Sequence, residues 1–251
     1  MTITTTARDH ETARSVADRA GRVLLALQQE MADASPRDRG AEGDRRSHDL
    51  ILQELAATHP DDAVLSEEAA SDDGRLTAER VWIVDPLDGS REYGEVRDDW
   101  AVHVALVVDG RPVAGAVALP GLDCVLSTGT APPSPPPNNG RLRIVVSRTR
   151  PPTVAEAVAD ALGAELIPMG SAGAKAGAVI LGEADAYIHA GGQYEWDSAA
   201  PVAVATAAGL HASRVDGIPL RYNQPNPWLP DLLICRPELA EPILSITRAN
   251  S

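Results

Sequence analysis

The stretch that most limits what this chain can become is VWIVDPLDGSREY, from Val81 to Tyr93. Its apolar opening reads as a buried strand ending at Val84. Asp85 follows, then Pro86, Leu87, Asp88, Gly89 and Ser90. Two acids three residues apart also suit a plain turn, but Pro86 stiffens the backbone between them and has no donor of its own. Gly89 permits close backbone approach, and Gly89-Ser90 can open a helix whose unpaired amides face an anion. Two carboxylates beside such a nest repel a phosphate unless cations stand between them. The pattern therefore predicts metal-bridged phosphate binding, with magnesium the hard cation that suits it.

The length of 251 residues allows one large domain or two small ones sharing a core, and 44% hydrophobic content is enough to build it. Phe is absent, so Val, Leu, Ile and Ala must fill the interior. A net charge of −14 argues against nucleic acid or an anionic membrane as a partner. It leaves a phosphate substrate open, because bound cations invert the local field. Cys124 and Cys235 are too few and too far apart for a disulfide framework and point to a reducing cytosol. No apolar run approaches membrane-spanning length, and MTITTTARDH lacks the basic-then-apolar pattern of a signal peptide. A soluble, cytoplasmic protein is expected.

Along the chain, residues 9–33 repeat apolar side chains at helical spacing and read as a long helix covering a sheet. SPRDRGAEGD reads as a loop, followed by a second helix from Asp44 to Thr58. Asp44 would then head that helix, where an N-cap alone explains an Asp. Ala63 to Leu65 is a short strand delivering Ser66, Glu67 and Glu68, and residues 70–80 read as a mobile loop. Trp100 to Val108, Val113 to Leu119 and Cys124 to Ser127 form an antiparallel meander turned at Asp109-Gly110. Asp98 and Asp99 read as solvated charges, and His103 as a satisfied core or rim histidine.

APPSPPPNNG, Ala131 to Gly140, is a stiff proline-rich spacer and marks the domain boundary, dividing 1–135 from 136–251. Beyond it, strands and helices alternate: 142–147, 153–162, 165–168, 172–181 and 184–189. Ser147-Arg148-Thr149-Arg150 sits at a strand end, where its basic groups either reach a phosphate or simply face water. Gly191 to Tyr194 reads as a flexible loop before Glu195-Trp196-Asp197, and Asp197 opens an Ala-rich helix, where a carboxylate is electrostatically welcome. The first half is thus two long helices on an antiparallel sheet and the second a smaller α/β half.

DPLDGSREY resembles the D-P-hydrophobic-D-G-[ST] motif of the inositol monophosphatase superfamily of magnesium-dependent, lithium-sensitive phosphatases. Ser66-Glu67-Glu68 and EWDSAAP, Glu195 to Pro201, match further motifs of that family in the right order. With REY after the Ser, the chain is most similar to the CysQ branch, the 3'(2'),5'-bisphosphate nucleotidases acting on 3'-phosphoadenosine 5'-phosphate (PAP) in sulfate assimilation. The resemblance covers nearly the whole chain and implies a layered αβαβα sandwich.

It also implies roles. Glu67, Asp85, Asp88, Asp197 and the Leu87 carbonyl would hold two or three magnesium ions, with Glu68 behind them. Asp44 and Ser90 would position the attacking water. Leu87, Asp88, Gly89, Ser90 and Asp197 would border the substrate. GSAGAK, Gly170 to Lys175, resembles the family's nucleotide-holding G-S-S-x-K with one residue inserted, which would bring in Ser171 and Lys175. A Gly-rich helix start with an exposed Lys is the plain alternative. A homodimer is implied as well. Inositol phosphates and fructose 1,6-bisphosphate are the other substrates such a site would serve, and a non-catalytic magnesium or nucleotide sensor is the alternative outside the enzymes.

Overall fold

The computed structural model describes residues 5–69, 73–136, 138 and 140–249. Helix α1 spans Ala7–Glu30, and its start is set by a reciprocal cap. The Thr6 hydroxyl accepts from the Asp9 amide at 3.3 Å, while the Asp9 carboxylate accepts from the Thr6 amide at 2.7 Å. Helix α2 spans Pro36–Thr58, so the expected loop at residues 36–43 is helical. Ser35 caps it by accepting from the Asp38 amide at 3.2 Å, and Pro36 occupies the first turn, where a missing N–H costs nothing. Asp44 is therefore mid-helix and cannot be an N-cap.

Five strands form the first sheet in the order β1 (Ala63–Ser66), β2 (Arg80–Asp88), β3 (Ala101–Val108), β4 (Arg111–Leu119), β5 (Cys124–Ser127). It is antiparallel as expected, except that β1 joins its edge parallel to β2. Between them, residues 73–77 make a short 3-10 turn whose Arg75 is buried and donates to Asn223 Oδ1 at 2.7 Å and to the Gln224 carbonyl at 2.9 Å. That part of the expected mobile loop is tied down; residues 70–72 lie outside the described residues.

The second sheet runs β7 (Glu165–Met169), β6 (Arg143–Ser147), β8 (Ala186–Tyr194), β10 (Trp228–Cys235), β9 (His211–Ser213). Strands β6, β7 and β8 are mutually parallel, and β10 and β9 complete the sheet antiparallel. Gly191 to Tyr194, expected as a loop, belongs to β8 and carries a bulge against β10. Four helices accompany this half: α4 (Thr153–Leu162), α5 (Ala172–Ile180), α6 (Glu195–Ala207) and α7 (Pro237–Ala249).

Both faces of the first sheet are buried, which is why β2 reads as an unbroken apolar run. Trp82 and Val84 point to α1 and α2, packing with Ala13, Val16, Ala20 and Leu24. Val81 and Ile83 point the other way, into a core with Ala176, Val179, Ala199 and Val204 of α5 and α6. That core continues to Tyr187, Leu232 and Ile234 of the second sheet, whose outer face packs on α4 and α7 through Ile144, Val158 and Ile243. The result is five layers: α1/α2, sheet, α5/α6, sheet, α4/α7. The middle helices are packed on both sides, and their N-termini meet the C-terminal end of β2.

Candidate active site

At that meeting point the β2–β3 pairing slips between Asp85 and Asp88. The Ser47 hydroxyl of α2 donates to the Pro86 carbonyl at 2.6 Å, and the Leu87 amide to Asp85 Oδ1 at 3.1 Å. These two bonds shape the turn. Gly89 sits at φ +88°, a backbone region in which a Cβ is strained, and releases the chain into the five-residue helix α3 (Ser90–Gly94). Within REY, Tyr93 is buried, donates its hydroxyl to the Leu24 carbonyl at 2.8 Å and meets Trp100 edge-on; it builds the core.

Asp85, Asp88 and Asp197 each bring a carboxylate oxygen within 4.8 Å of the other two. Two come from β2, the third from the first turn of α6, which begins at Glu195, two residues before its expected opening. The Tyr194 amide donates to Asp197 Oδ2 at 2.6 Å, which orients the side chain. Burial, then repulsion from Asp88, Glu67 and Asp197, raises the Asp85 pKa well above the ordinary carboxylate range. Burial and Asp88 push Asp197 up to about 6. Glu67, reaching in from the end of β1, is pushed up to about 7 by desolvation and then by Asp197, Asp88 and Glu68. Across from it on α2, Asp44 is pushed up to about 8 by burial, Glu68 and Glu67.

Four acids raised by burial and then by neighbouring carboxylates are a set of oxygen ligands short of positive charge. A hard divalent cation supplies that charge and takes an all-oxygen donor set, so the residues present fit one. Asp85, Asp88 and Asp197 form the cluster, and Glu67 and Asp44, from two other stretches of the chain, lie close enough to act on it electrostatically. The Leu87 amide is bonded to Asp85, Ser90 shares a cavity wall with Asp44, and Glu68 acts on both Asp44 and Glu67.

Asp88 is the exception to the rising trend. Burial opposes its charge, but His103, the Ser171 hydroxyl and the Gly173 amide together hold it below the usual range. Asp88 accepts a hydrogen bond from Ser171 Oγ, from the Gly173 amide at 2.6 Å and from the Ala172 amide at 3.1 Å. His103 Nε2 stands 3.3 Å away, and its Nδ1 is 3.0 Å from the Trp196 carbonyl. Burial disfavours the charged imidazole, yet Asp88 and that carbonyl outweigh it and raise the ring's pKa. His103 is the buried histidine that its strand pattern predicts, and it is also part of the site. A lone His in an apolar strand gave no signal of this, because its partner lies 15 positions away around a loop.

Lys175 is 5% exposed. Its ammonium donates to the Ser171 carbonyl and, at 3.0 Å, to the Gly170 carbonyl, and lies 5.3 Å from the Tyr187 ring centre. Burial lowers its pKa. The residue inserted before it falls within a helical turn, which brings the side chain back along its own helix. Arg148 is likewise occupied, donating to Glu92 at 2.7 Å and Glu95 at 3.2 Å. Asp99 is not a solvated charge: it takes a paired contact from Arg97 and accepts from the Gly170 amide at 2.7 Å, anchoring the loop before Ser171.

Residues 6–250 match the profile of the Inositol monophosphatase family. Over 237 residues the chain is 53% identical to a 3'-phosphoadenosine 5'-phosphate phosphatase of Mycobacterium tuberculosis (strain CDC 1551 / Oshkosh), covering 90% of this chain and 87% of that protein. It is 33% identical over 190 residues to the 3'(2'),5'-bisphosphate nucleotidase CysQ of Escherichia coli (strain K12), covering 71% and 77%. Among solved structures, CysQ from Bacteroides thetaiotaomicron superposes with a TM-score of 0.76 at 27% identity over 90% of this chain and 96% of that one.

Proposed function

The chain belongs to the inositol monophosphatase family, and from that premise we propose that it is a magnesium-dependent phosphatase removing the 3'-phosphate of PAP to give AMP and phosphate. The observation that carries the reading is the three-carboxylate cluster of Asp85, Asp88 and Asp197, on a fold whose relatives at about half identity bear that activity in their names. Asp85, Asp88, Asp197, Glu67 and the Leu87 carbonyl would hold two or three ions. Magnesium there would supply a Lewis acid for the phosphate and acidify a coordinated water.

The protein's own groups do the rest. The amides of Gly89 and Ser90 donate to phosphate oxygens. Asp44 and the Ser90 hydroxyl orient the water for in-line attack, with Asp44 accepting its hydrogen bond. His103 and the start of α5 keep Asp88 ionised and fixed. Ser171 borders the leaving nucleoside, while Lys175 shapes that loop from beneath. Asp44, the carboxylate that shares a cavity wall with Ser90, serves the water, and Ser90 acts without forming a phosphoenzyme. The division at the proline-rich stretch fits this reading, since residues 1–135 carry Asp44, Glu67, Asp85 and Asp88 and residues 136–251 carry Asp197. A reducing cytoplasm suits the two free cysteines, and among the described residues no helix is long and apolar enough to cross a membrane. A homodimer is part of the proposal and is read from mass in solution.

The test is phosphate release from PAP, inositol 1-phosphate and fructose 1,6-bisphosphate side by side, with magnesium, with EDTA, and with lithium added. Magnesium-dependent preference for PAP is the expected outcome. Preference for inositol 1-phosphate would keep the metal site and overturn the substrate. No release from any of them would favour a sensor.

A further inference from the structure

The N-terminal part of α2 and the short helix α3 border an open cavity of about 430 Å³. Arg37, Gly40 and Asp44 line it from one side, and Ser90, Arg91 and Glu95 from the other. It therefore opens directly onto Asp44 and Ser90. Ser171 and Asp197, on the nucleoside's side of the site, do not line it.

Arg37 differs from the other cations nearby. Arg91 donates to Glu95 at 3.0 Å, Arg148 to Glu92 and Glu95, and Lys175 to backbone carbonyls. Arg37 has no hydrogen-bond or ion-pair partner among the described residues and stands exposed at the rim. Of the two acids in the cavity, Glu95 is held by Arg91 and Arg148. Arg37 thus carries the uncommitted positive charge on this side, in a chain whose net charge is −14.

In-line displacement puts the attacking water and the leaving oxygen on opposite sides of phosphorus. The water oxygen bonds to phosphorus, the bond to the ribose 3'-oxygen breaks, and that oxygen takes up a proton from the water. While its three other oxygens fold the opposite way, phosphorus moves toward the side from which the water came. That side is this cavity. We propose that it is the port through which inorganic phosphate leaves, and that Arg37 draws the anion away from the acidic centre. The proposal rests on the phosphatase reading above. Lysine at this position would keep the charge and lose the paired donors of a guanidinium.

The experiment is product inhibition of PAP hydrolysis by the magnesium-loaded, full-length protein, with inorganic phosphate and AMP added separately. Arg37→Glu is expected to weaken inhibition by phosphate about tenfold, leaving AMP inhibition and KM for PAP unchanged. Arg37→Lys stays near wild type. An equal rise in KM and in the AMP inhibition constant would mean that the nucleotide occupies the cavity, and unaltered phosphate inhibition would mean that nothing leaves through it; either overturns the port. If no substrate releases phosphate, the phosphatase reading has failed by itself. Calorimetric binding of inorganic phosphate to the magnesium-loaded protein then decides the port separately: a tenfold loss in Arg37→Glu supports it, and equal affinity overturns it.

Discussion

Asp88 concentrates the site's chemistry in one side chain. Its charge is maintained by three donors from the start of α5 and by His103, at a place where burial and three neighbouring acids oppose it. Asp88→Asn keeps nearly the same shape and removes the charge. It is expected to retain the circular dichroism spectrum of the wild type and to lose turnover on the order of a thousandfold. Near-normal turnover would refute its role as a ligand. The other acids lead to a pH test. Asp44, Glu67 and Asp197 rise to about 8, 7 and 6, from ordinary values of 3.8, 4.5 and 3.8. Between about pH 4 and 8 the folded protein without metal therefore binds more protons than the unfolded chain, and stability falls as pH rises. In EDTA, Tm is expected to drop from pH 5 to pH 8, and magnesium should flatten the slope. A slope equally flat in EDTA would mean that these acids do not face one another.

Among the elements, α2 bears the most positional weight, since it presents Asp44 to the site and Ser47 to the Pro86 carbonyl. Its first turn is held by Arg39, which is 4% exposed and donates to the carbonyls of Met31, Ala32 and Ala34 at the end of α1 and of Gly94 at the end of α3. One guanidinium thus satisfies carbonyls of two helix ends. Arg39→Ala strips those partners and is expected to cost roughly 2–4 kcal/mol in urea unfolding. A loss within error of zero would show that water replaces the guanidinium. The expected loop at residues 36–43 failed for a related reason. Arg, Asp and Gly in a row look like a breaker, but Ser35-Pro36 is a helix start, and Gly40 and Gly43 allow close approach. A Cβ on Gly43 would lie 2.8 Å from the Tyr93 ring, and one on Gly40 3.0 Å from the Ser90 carbonyl.

At the scale of the whole molecule, one core joins the two sheets through α5 and α6. A single cooperative calorimetric transition is expected, because neither sheet can lose the central helices without exposing the other. Two separated transitions would mean independently stable halves. A divalent cation held by the assembled cluster and not by the unfolded chain would stabilise the fold, so Tm is expected to climb with magnesium concentration and fall back on chelation. The parts of the centre come from α2, the ends of β1 and β2, and the first turn of α6. Opening the sandwich would therefore disperse the acids as well as the core.

Much of this was legible in the chain itself. The strand into Asp85, the helix at 153–162, the strand at Cys124–Ser127 and the meander follow from apolar period and turn residues, which act over a few neighbours. The acids were legible as motifs, because DPLDGS, SEE and EWD each place a carboxylate at the end of an element. Other features were decided by tertiary structure alone. Asp44 read as a cap until α2 extended back to Pro36 and packed on β2 and α3, and His103 had no role until β3 and α6 closed over Asp88. Lys175 turns inward, where the carbonyls of Gly170 and Ser171 accept from its ammonium. Local periodicity encodes which backbone conformation each stretch adopts. The charge state and partners of a side chain depend on burial and on groups far away in sequence, and those exist only once the layers have packed.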